Sequence, residues 1–454
     1  MVAFLDLADP TFDVNSAAVH QAREEDWYAV TPYGWAVLRY AEGTAVLKDK
    51  RFQQGNAKWP AQNGVHDGPF AQWWGETLLS LEGPDHLRLR KLLGPAFRSR
   101  AIEAMRQEFQ ALAHDLIDGF VERGRVEFVR EFAEPYAARI ICLLLGLPED
   151  ESPQVAHWAD DLGKSFGVNL KQDLGRIEAA LAGLTGYVDA VVADRRRHPR
   201  ADLVTTLLTA QEHDDALTRR ELSVGLVFLA FAGMETTRNQ LGLALQTFLR
   251  HPEQWALLAQ RPELGGNAVE EVMRVNPTVT WVTREATEDV DLFGLAVPRG
   301  GMVQVLSHAA GTDPRAMGDE PGFDITVTDR PQQSGFGGGL HFCLGHFVAR
   351  TDMSVALPLL ASRLPGIEAD GPGEWLPVSG NTGPVRFPLR FGRQAAVDRP
   401  ARVGDEAEPA ADLAWSVAPV DSPARDDLVD RVEVGVAELQ IGGGNVLGNA
   451  VGVT

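Results

Sequence analysis

The residues with the clearest potential for chemistry lie in one glycine-rich loop. Phe336, Gly339, His341, Cys343 and Gly345 stand at close spacing just before a predicted helix. A cysteine before a helix N-terminus meets backbone N–H groups and the positive end of the helix dipole, and both stabilise a thiolate. Glycines allow a flat, bulky group to approach the backbone. One thiolate without a second protein ligand suits an iron whose other ligands come from a porphyrin.

The residues of this loop also fit a simpler structural interpretation. A lone cysteine is most often a small buried hydrophobic residue, which is the prediction for Cys142 in the apolar run 140–145. With only two cysteines in 454 residues, a disulfide framework or a structural zinc site is not expected. A phosphate-binding loop is excluded because the glycines match neither GxxxxGK[ST] nor GxGxxG.

A second group of polar residues interrupts the most apolar helical pattern of the chain. It contains Ala232, Gly233, Glu235, Thr236 and Thr237. A threonine hydroxyl can bond the carbonyl four residues earlier, so the group has a purely structural explanation. An acid and two threonines in a dry helix nevertheless cost free energy unless they have partners or a purpose. Gly233 weakens the helix locally and can open a groove.

Two further charged pairs follow helical spacing. Glu271 and Arg274 are three residues apart, which alone indicates an ordinary surface contact. His86 and Arg90 are four residues apart, so they share one face of a predicted basic helix.

Taken in order, these motifs resemble those of the cytochrome P450 family, and the resemblance covers about residues 12–393. It implies a mainly α fold with a small β-rich region, in which a long central helix lies over a haem. Cys343 would be the iron ligand of haem b. Thr236 and Glu235 would be the catalytic pair that delivers protons while dioxygen is split.

The resemblance also implies which residues contact the cofactor. They are His86, Arg90, Ala232, Gly233, Arg284, Phe336, Gly339, His341, Gly345 and Ala349. Among them His86, Arg90, Arg284 and His341 would pair with the two haem propionates. Glu271 and Arg274 would form a structural lock behind the haem, which another arginine normally joins. Val327 occupies that arginine's usual position, so we expect Arg330 to replace it; Thr312 is a second departure from the family pattern.

Apolar periodicity predicts the elements that position these residues. The longest helix begins at the capping box Thr218–Glu221 and extends to about Leu249. Residues 53–80, rich in Gly, Gln and Trp without a clear period, are predicted to be a long ordered loop. Other helices are predicted near 16–25, 84–97, 102–120, 135–146, 153–166, 171–195, 203–212, 253–260, 263–275 and 345–362. Short strands are predicted near 27–30, 36–40, 279–282, 290–293, 302–306 and 385–391.

Charge and composition limit the partners and the location. The chain has 42 basic and 63 acidic residues, a net charge of −21, which argues against nucleic acid or an anionic membrane as partner. No apolar run approaches the roughly 18 residues of a membrane helix, and the acidic N-terminus is not a signal peptide. We therefore expect a cytoplasmic monomer. Residues 394–440 contain eleven acids and four bases, and we predict that 394–454 is a mostly disordered appendage of unknown function beside a catalytic domain over 1–393.

The resemblance predicts a haem-thiolate monooxygenase that oxidises a hydrophobic small molecule with O2 and two electrons from a separate ferredoxin and its reductase. A basic patch of Arg88, Lys91, Arg98 and Arg100 would attract the acidic donor. The expected pocket residues are Trp59, Phe70, Trp73, Trp74, Phe166, Phe228, Ala232 and 278–281. Alternatives are aromatic coupling or peroxide-driven oxidation on the same fold, although Glu235 and Thr236 argue against peroxide, and a haem-binding sensor without catalysis.

Overall fold

The computed structural model describes residues 2–392, except Pro10, Val168, 211–216, 319–321 and Val378. The predicted appendage 394–454 lies outside the described residues, so the domain boundary near Arg393 stays a prediction. The described part is mainly α with small β-sheets, which confirms the predicted fold class. No helix in this part combines the length and hydrophobicity that a membrane-spanning segment needs.

Most of the longer α-helices lie where the apolar patterns predict them. They are α1 (Ala17–Glu25), α2 (Tyr40–Lys48), α3 (Trp59–Gln62), α4 (Pro69–Gly75), α5 (Gly83–Leu93), α6 (Ser99–Glu103), α7 (Arg106–Asp118), α8 (Glu134–Leu145), α9 (Ser152–Gly163), α10 (Leu170–Arg197), α11 (Leu203–Ala210), α12 (Arg219–Arg250), α13 (Pro252–Gln260), α14 (Gly265–Val275), α15 (Ser307–Gly311), α16 (Pro314–Met317) and α17 (His346–Arg363). The pattern predicted as one helix over 102–120 is split between α6 and α7. Helices α2, α15 and α16 were not predicted, and α3 and α4 lie in the predicted loop.

Twelve short strands form four small sheets within the described residues. They are β1 (Tyr28–Thr31), β2 (Gly34–Val37), β3 (Phe52–Gln53), β4 (Arg125–Glu127), β5 (Trp281–Ala286), β6 (Val290–Leu292), β7 (Leu295–Val297), β8 (Met302–Leu306), β9 (Glu368–Ala369), β10 (Glu374–Trp375), β11 (Pro384–Arg386) and β12 (Pro388–Arg390). The largest sheet has the order β1-β2-β8-β5-β3, with β2 and β8 parallel. This sheet carries Arg284 on β5.

The prediction of one long loop over residues 53–80 is wrong. Pro60 and Pro69 stand in the first turns of α3 and α4, where the missing proline N–H costs nothing. Phe70, Trp73 and Trp74 are buried on one face of α4. Their spacing of three and four residues is helical, but the surrounding glycines obscure this pattern in the sequence.

The long helix α12 is buried along most of its length. Thr218 Oγ1 accepts from Glu221 N–H at 3.1 Å, and the Glu221 carboxylate accepts from Thr218 N–H at 2.8 Å, which confirms the predicted capping box. α12 packs against α8, α9 and α10, and also against α14 and α17. Because α17 follows the cysteine loop, this packing ties both chemical motifs to one core.

The predicted structural lock is present and buried. Arg274 donates to both carboxylate oxygens of Glu271, at 3.0 Å and 2.7 Å, and also to Gly311 O at 2.9 Å and Gly322 O at 2.7 Å. Arg330 Nε lies 3.3 Å from Glu271 Oε1, which confirms that Arg330 replaces the missing arginine at Val327. Two guanidinium groups therefore share one buried carboxylate.

We expect Glu271→Gln to destabilise the protein strongly. The side chains of Glu271 and Arg274 are 4% and 2% exposed, and removing one partner of a buried ion pair costs about 3–5 kcal/mol. The denaturant midpoint should fall clearly, and a matched variant of an exposed pair, Glu103→Gln beside Arg106, should barely move it. Equal midpoints for Glu271→Gln and the parent would contradict the importance of the lock.

Candidate active site

Cys343 lies on a loop that is closed by a backbone hydrogen bond. The Cys343 N–H donates to Phe336 O at 2.9 Å, and Arg350, one turn into α17, stacks its guanidinium 4.4 Å from the centre of the Phe336 ring. Ala349 follows on the same helix, where its N–H donates to Gly345 O at 3.0 Å. Every residue from 341 to 347 is only half-buried, so an accessible surface follows the cysteine loop into α17.

The electrostatic environment of Cys343 has opposing parts. Burial raises the pKa of the thiol, whereas a hydrogen bond from Gly345 N–H and the charges of Arg90 and Arg350 lower it. The predicted support for a thiolate is therefore present, but burial outweighs it for the unliganded thiol; a coordinated metal ion removes that proton outright. Cys142 differs, since burial raises its pKa to about 12, which confirms it as an inert core residue.

Two of the loop glycines are needed for packing within the protein itself. Gly339 has a φ of +65°, and a Cβ on it would lie 2.5 Å from Leu47 O. A Cβ on Gly338 would lie 2.9 Å from the Leu47 Cβ. These two glycines let the loop pack on α2, whereas a Cβ on Gly345 would meet nothing within 4 Å. Of the three, only Gly345 leaves open space beside the cysteine loop.

Two arginines near this loop have no carboxylate partner among the described residues. Arg284, 3% exposed, donates to Gln54 Oε1 at 2.5 Å and Gly338 O at 2.8 Å, which are both neutral oxygens. Arg90 donates to Phe342 O. Burial lowers the pKa of both guanidinium groups, that of Arg284 to about 10. A buried cation that bonds only neutral acceptors is costly unless an anion compensates it.

The two predicted histidines lie together beside these arginines. The rings of His86 and His341 stack with centroids 4.0 Å apart, and His341 Nε2 lies 3.0 Å from Glu82 Oε2. His86 is buried, and its Nε2 has no hydrogen-bond partner. Burial and the neighbouring His341 and Arg90 lower the pKa of His86 to about 4.

This arrangement fits a haem. Two under-neutralised arginines and an unpartnered imidazole nitrogen suit a ligand with two carboxylates. The half-buried Cys343 is a free thiol, and no cluster of three or more His, Cys, Asp or Glu in the described part of the chain could hold a metal ion by itself. An iron held in a porphyrin needs only one such protein ligand, which Cys343 could supply.

The second motif forms an accessible strip on α12. Between Leu222 and Leu245 the residues that are not fully buried are Gly225, Ala232, Gly233 and Thr236. Their spacing places them along one side of the helix. Thr236 Oγ1 donates to Ala232 O at 2.8 Å, the back-bond that the structural interpretation predicts. α12 is unbroken here, and the missing side chain of Gly233 makes room for Ile141, because a Cβ would lie 2.4 Å from its Cδ1.

Glu235 lies on the buried side of the same turn. Its side chain is 3% exposed, Oε1 lies 3.5 Å from Arg238 Nη2, and Oε2 has no hydrogen-bond partner. Gly163 of α9 packs directly against it, since a Cβ there would lie 1.7 Å from Oε2. Burial raises the pKa of Glu235 to about 7, and Arg238 opposes the shift. Arg238 is the largest opposing influence, and Asp160, which Arg238 binds at 2.6 Å, adds to the upward shift.

The expected pocket residues fall into an aromatic cluster near the start of the strip. Phe166 stacks on Phe231 at 5.3 Å between ring centroids, and Trp73 and Trp74 meet them edge to face at 6.3 Å and 5.5 Å. Phe228 contacts Phe231 at 6.5 Å. Trp59 is tied to the cluster through its indole N–H, which donates to Ser165 O at 2.7 Å. Residues 278–281 are instead held by hydrogen bonds to the segment 379–382.

Two features of the site were not anticipated from the sequence. Arg88 forms an ion pair with Glu221 at the start of α12, so the prediction that it belongs to the basic patch is wrong. Arg238 is a buried partner of Glu235, and its position three residues later on a dry helix was a usable signal. Asp160 gave no such signal, because only the packing of α9 on α12 brings it near.

Comparison with known proteins identifies the class. A profile of the cytochrome P450 family matches residues 254–364. Luteothin monooxygenase of Streptomyces thioluteus is 37% identical over 391 residues, which span 86% of this chain and 96% of that protein. The chain therefore belongs to the cytochrome P450 family.

Solved structures agree with this assignment. The crystal structure of CalO2 superposes with a TM-score of 0.77 at 32% identity and covers 87% of this chain and 100% of that one. P450BioI in complex with an acyl carrier protein ligated to hexadec-9Z-enoic acid superposes with a TM-score of 0.75 at 29% identity, over 85% and 99% of the two chains. The protein is thus an oxidoreductase, a bacterial P450 monooxygenase of the secondary-metabolism type, and the family's cofactor is a haem with a thiolate ligand.

Because the pKa of Glu235 is raised, ionisation of this carboxyl destabilises the folded protein as pH rises. Glu235→Gln should remove this destabilisation. Because the folded pKa of about 7 exceeds the ordinary 4.5, the folded protein binds more protons between these values, and stability falls as pH rises through them. The stability advantage of Glu235→Gln over the parent should therefore grow from about pH 5 to about pH 8, by roughly 3 kcal/mol. Denaturant unfolding across that range measures it, and a difference independent of pH would contradict the assigned pKa.

Proposed function

We propose that this P450 binds haem b through Cys343 and oxidises a hydrophobic small molecule above it. One observation carries the proposal. Two accessible strips, residues 341–347 and the line of Ala232, Gly233 and Thr236, border the same hydrophobic core, beside two arginines that lack carboxylates. A thiol, an apolar strip with one hydroxyl and cations for two carboxylates are what a haem-thiolate site requires.

Each part of the haem has matching residues in this proposal. The Cys343 sulfur holds the iron, and Gly345 N–H, Arg90 and Arg350 stabilise its negative charge. Arg284 and Arg90 pair with the propionates, with His86 and His341 beside them. Phe336, Gly339 and Ala349 shape the cysteine side, and Ala232 and Gly233 line the other face. The bound haem supplies the redox chemistry that splits dioxygen.

The residues of α12 manage protons in this proposal. Thr236 holds its hydroxyl at the accessible strip, where it can turn from Ala232 O toward a bound group. Glu235 is the proton source, since an acid whose pKa lies near the working pH exchanges a proton most readily. The aromatic and apolar walls exclude bulk water, so protons arrive by these side chains.

The substrate side is aromatic and apolar, which favours a hydrophobic small molecule of secondary metabolism. Phe166, Phe228, Trp73 and Trp74 supply this wall. The monooxygenase activity named for the relative from Streptomyces thioluteus supports a reaction that inserts oxygen into such a molecule.

We propose a separate ferredoxin as electron donor. Lys91, Arg98 and Arg100 are exposed cations close in sequence to Arg90 in a chain with a net charge of −21, so they offer an acidic donor a local positive surface. The cytoplasmic location and the monomeric state stay predictions.

Cys343→Ala should abolish the thiolate-type absorbance of the reduced carbon monoxide adduct. The alanine removes the sulfur that gives this adduct its red-shifted band. Cys142→Ala removes the other thiol, which is fully buried in the core, and should keep the band. An unchanged spectrum for Cys343→Ala would refute the ligand assignment.

Thr236→Ala should keep the haem but separate electron use from product formation. Without the hydroxyl, proton delivery is misdirected and peroxide is released, so product per electron pair should fall by on the order of tenfold or more. Thr237→Ala, which removes the same group from the adjacent buried position, is the matched control. Equal coupling in the two variants would count against the role of Thr236.

A further inference from the structure

The buried guanidinium group of Arg238 lies close to carboxylates from three helices. Its side chain is 4% exposed. Nη1 lies 2.6 Å from Asp160 Oδ1 of α9 and 4.0 Å from Glu134 Oε2, the first residue of α8, while Nη2 lies 3.5 Å from Glu235 Oε1. This connects Glu235 to two acids that are distant in sequence and nearer to the surface.

The two outer acids differ in how they are held. Asp160 is bound by Arg238 and by Lys164 Nζ at 2.9 Å, and these cations keep its pKa low despite burial. Glu134 has Arg238 only at 4.0 Å, and burial raises its pKa. A doubly paired carboxylate keeps its negative charge, whereas a weakly paired and partly buried one takes up a proton more readily.

Glu134 also borders open space. A surface groove of about 720 Å³ is lined by Arg130, Glu134, Pro135, Ala138, Arg139, Glu149, Asp150, Ser152, Pro153 and Ala156. The Glu134 side chain is 33% exposed, so it meets water on one side and Arg238 on the other. Glu235, at 3% exposed, has no comparable access of its own.

We propose that Glu134 is the group through which Glu235 exchanges protons with solvent, and that Arg238 is the positioning residue that keeps the two carboxylates in one cluster. The proposal rests on the proposed role of Glu235 as proton source. After Glu235 has given up a proton, Glu134 passes its own proton to the Glu235 carboxylate through water, and solvent in the groove then protonates Glu134 again. Arg238 stays charged throughout, because arginine does not release its proton in proteins.

The surrounding charges favour one shared proton. The groups that face Glu235 are Arg238, Asp160 and Lys164, and the Asn239 side chain lies beside them. The groups that face Glu134 are Arg238, Asp160, Arg130 and Glu127. The four acids Glu127, Glu134, Asp160 and Glu235 outnumber the three cations Arg130, Lys164 and Arg238, which favours a proton held by one carboxyl of the cluster.

The test is the pH profile of coupled turnover in the haem-loaded enzyme with its electron donors. We expect Glu134→Gln to lower product per electron pair about threefold to tenfold, since a feeding group contributes less than the group that donates directly. The loss should grow as pH rises, because free protons become scarcer, and Glu134→Asp should restore much of the activity. Glu149→Gln alters the same groove without touching Arg238 and should match the parent.

Glu235→Gln distinguishes a failure of the proposed relay from a failure of the proposed role of Glu235. If Glu235→Gln impairs coupling while Glu134→Gln matches the parent at every pH, the relay is wrong and the proposed function stands. If Glu235→Gln itself leaves coupling unchanged, the proposed role of Glu235 fails. A Glu134→Gln defect that is independent of pH and that Glu134→Asp does not relieve reflects helix stability only, and it also overturns the relay.

Discussion

The cost of placing charge inside a protein organises this structure. The interior contains arginines at positions 90, 238, 274, 284 and 330, and each contacts carboxylates or backbone oxygens of segments distant in sequence. Where the chain supplies the counter-charge, as at Glu271, the cluster is structural. Where it supplies only neutral oxygens, as at Arg284, the missing anion indicates a ligand. The same physical rule therefore separates the scaffold from the site.

The long helix α12 shows how one element serves both purposes. Its buried face carries Glu235 and Arg238 into a network with α8 and α9, and its accessible strip presents Ala232, Gly233 and Thr236. Close packing makes this division possible, because Gly163 leaves just enough room for the Glu235 carboxylate and Gly233 leaves room for Ile141. A helix apolar on every side could fill the core but could not move a proton.

The surroundings of Cys343 and of Glu235 act differently on the charge of these two groups. Burial disfavours the charged form of both Cys343 and Glu235. At Cys343 the neighbouring N–H group and cations favour the thiolate, which is the form that binds a metal ion. At Glu235 burial outweighs the opposing charge of Arg238, so the pKa of the acid is raised to about 7. The two groups thus suit a permanent ligand and a proton carrier.

Local spacing in the sequence was enough to predict the helices with strong apolar periodicity, the capping box of α12, the family, and the motifs that contain Cys343, Glu235 and Thr236. The sequence also led to Arg330, which completes the lock with Glu271. It failed for residues 53–80, where glycines masked the helical spacing of Phe70, Trp73 and Trp74. The folded structure was needed to show that Gly338 and Gly339 pack on Leu47, that Arg88 pairs with Glu221, and that Glu134 and Asp160 lie beside Arg238. Those contacts join segments far apart in the chain, and their geometry follows from how the helices pack, which no local pattern records.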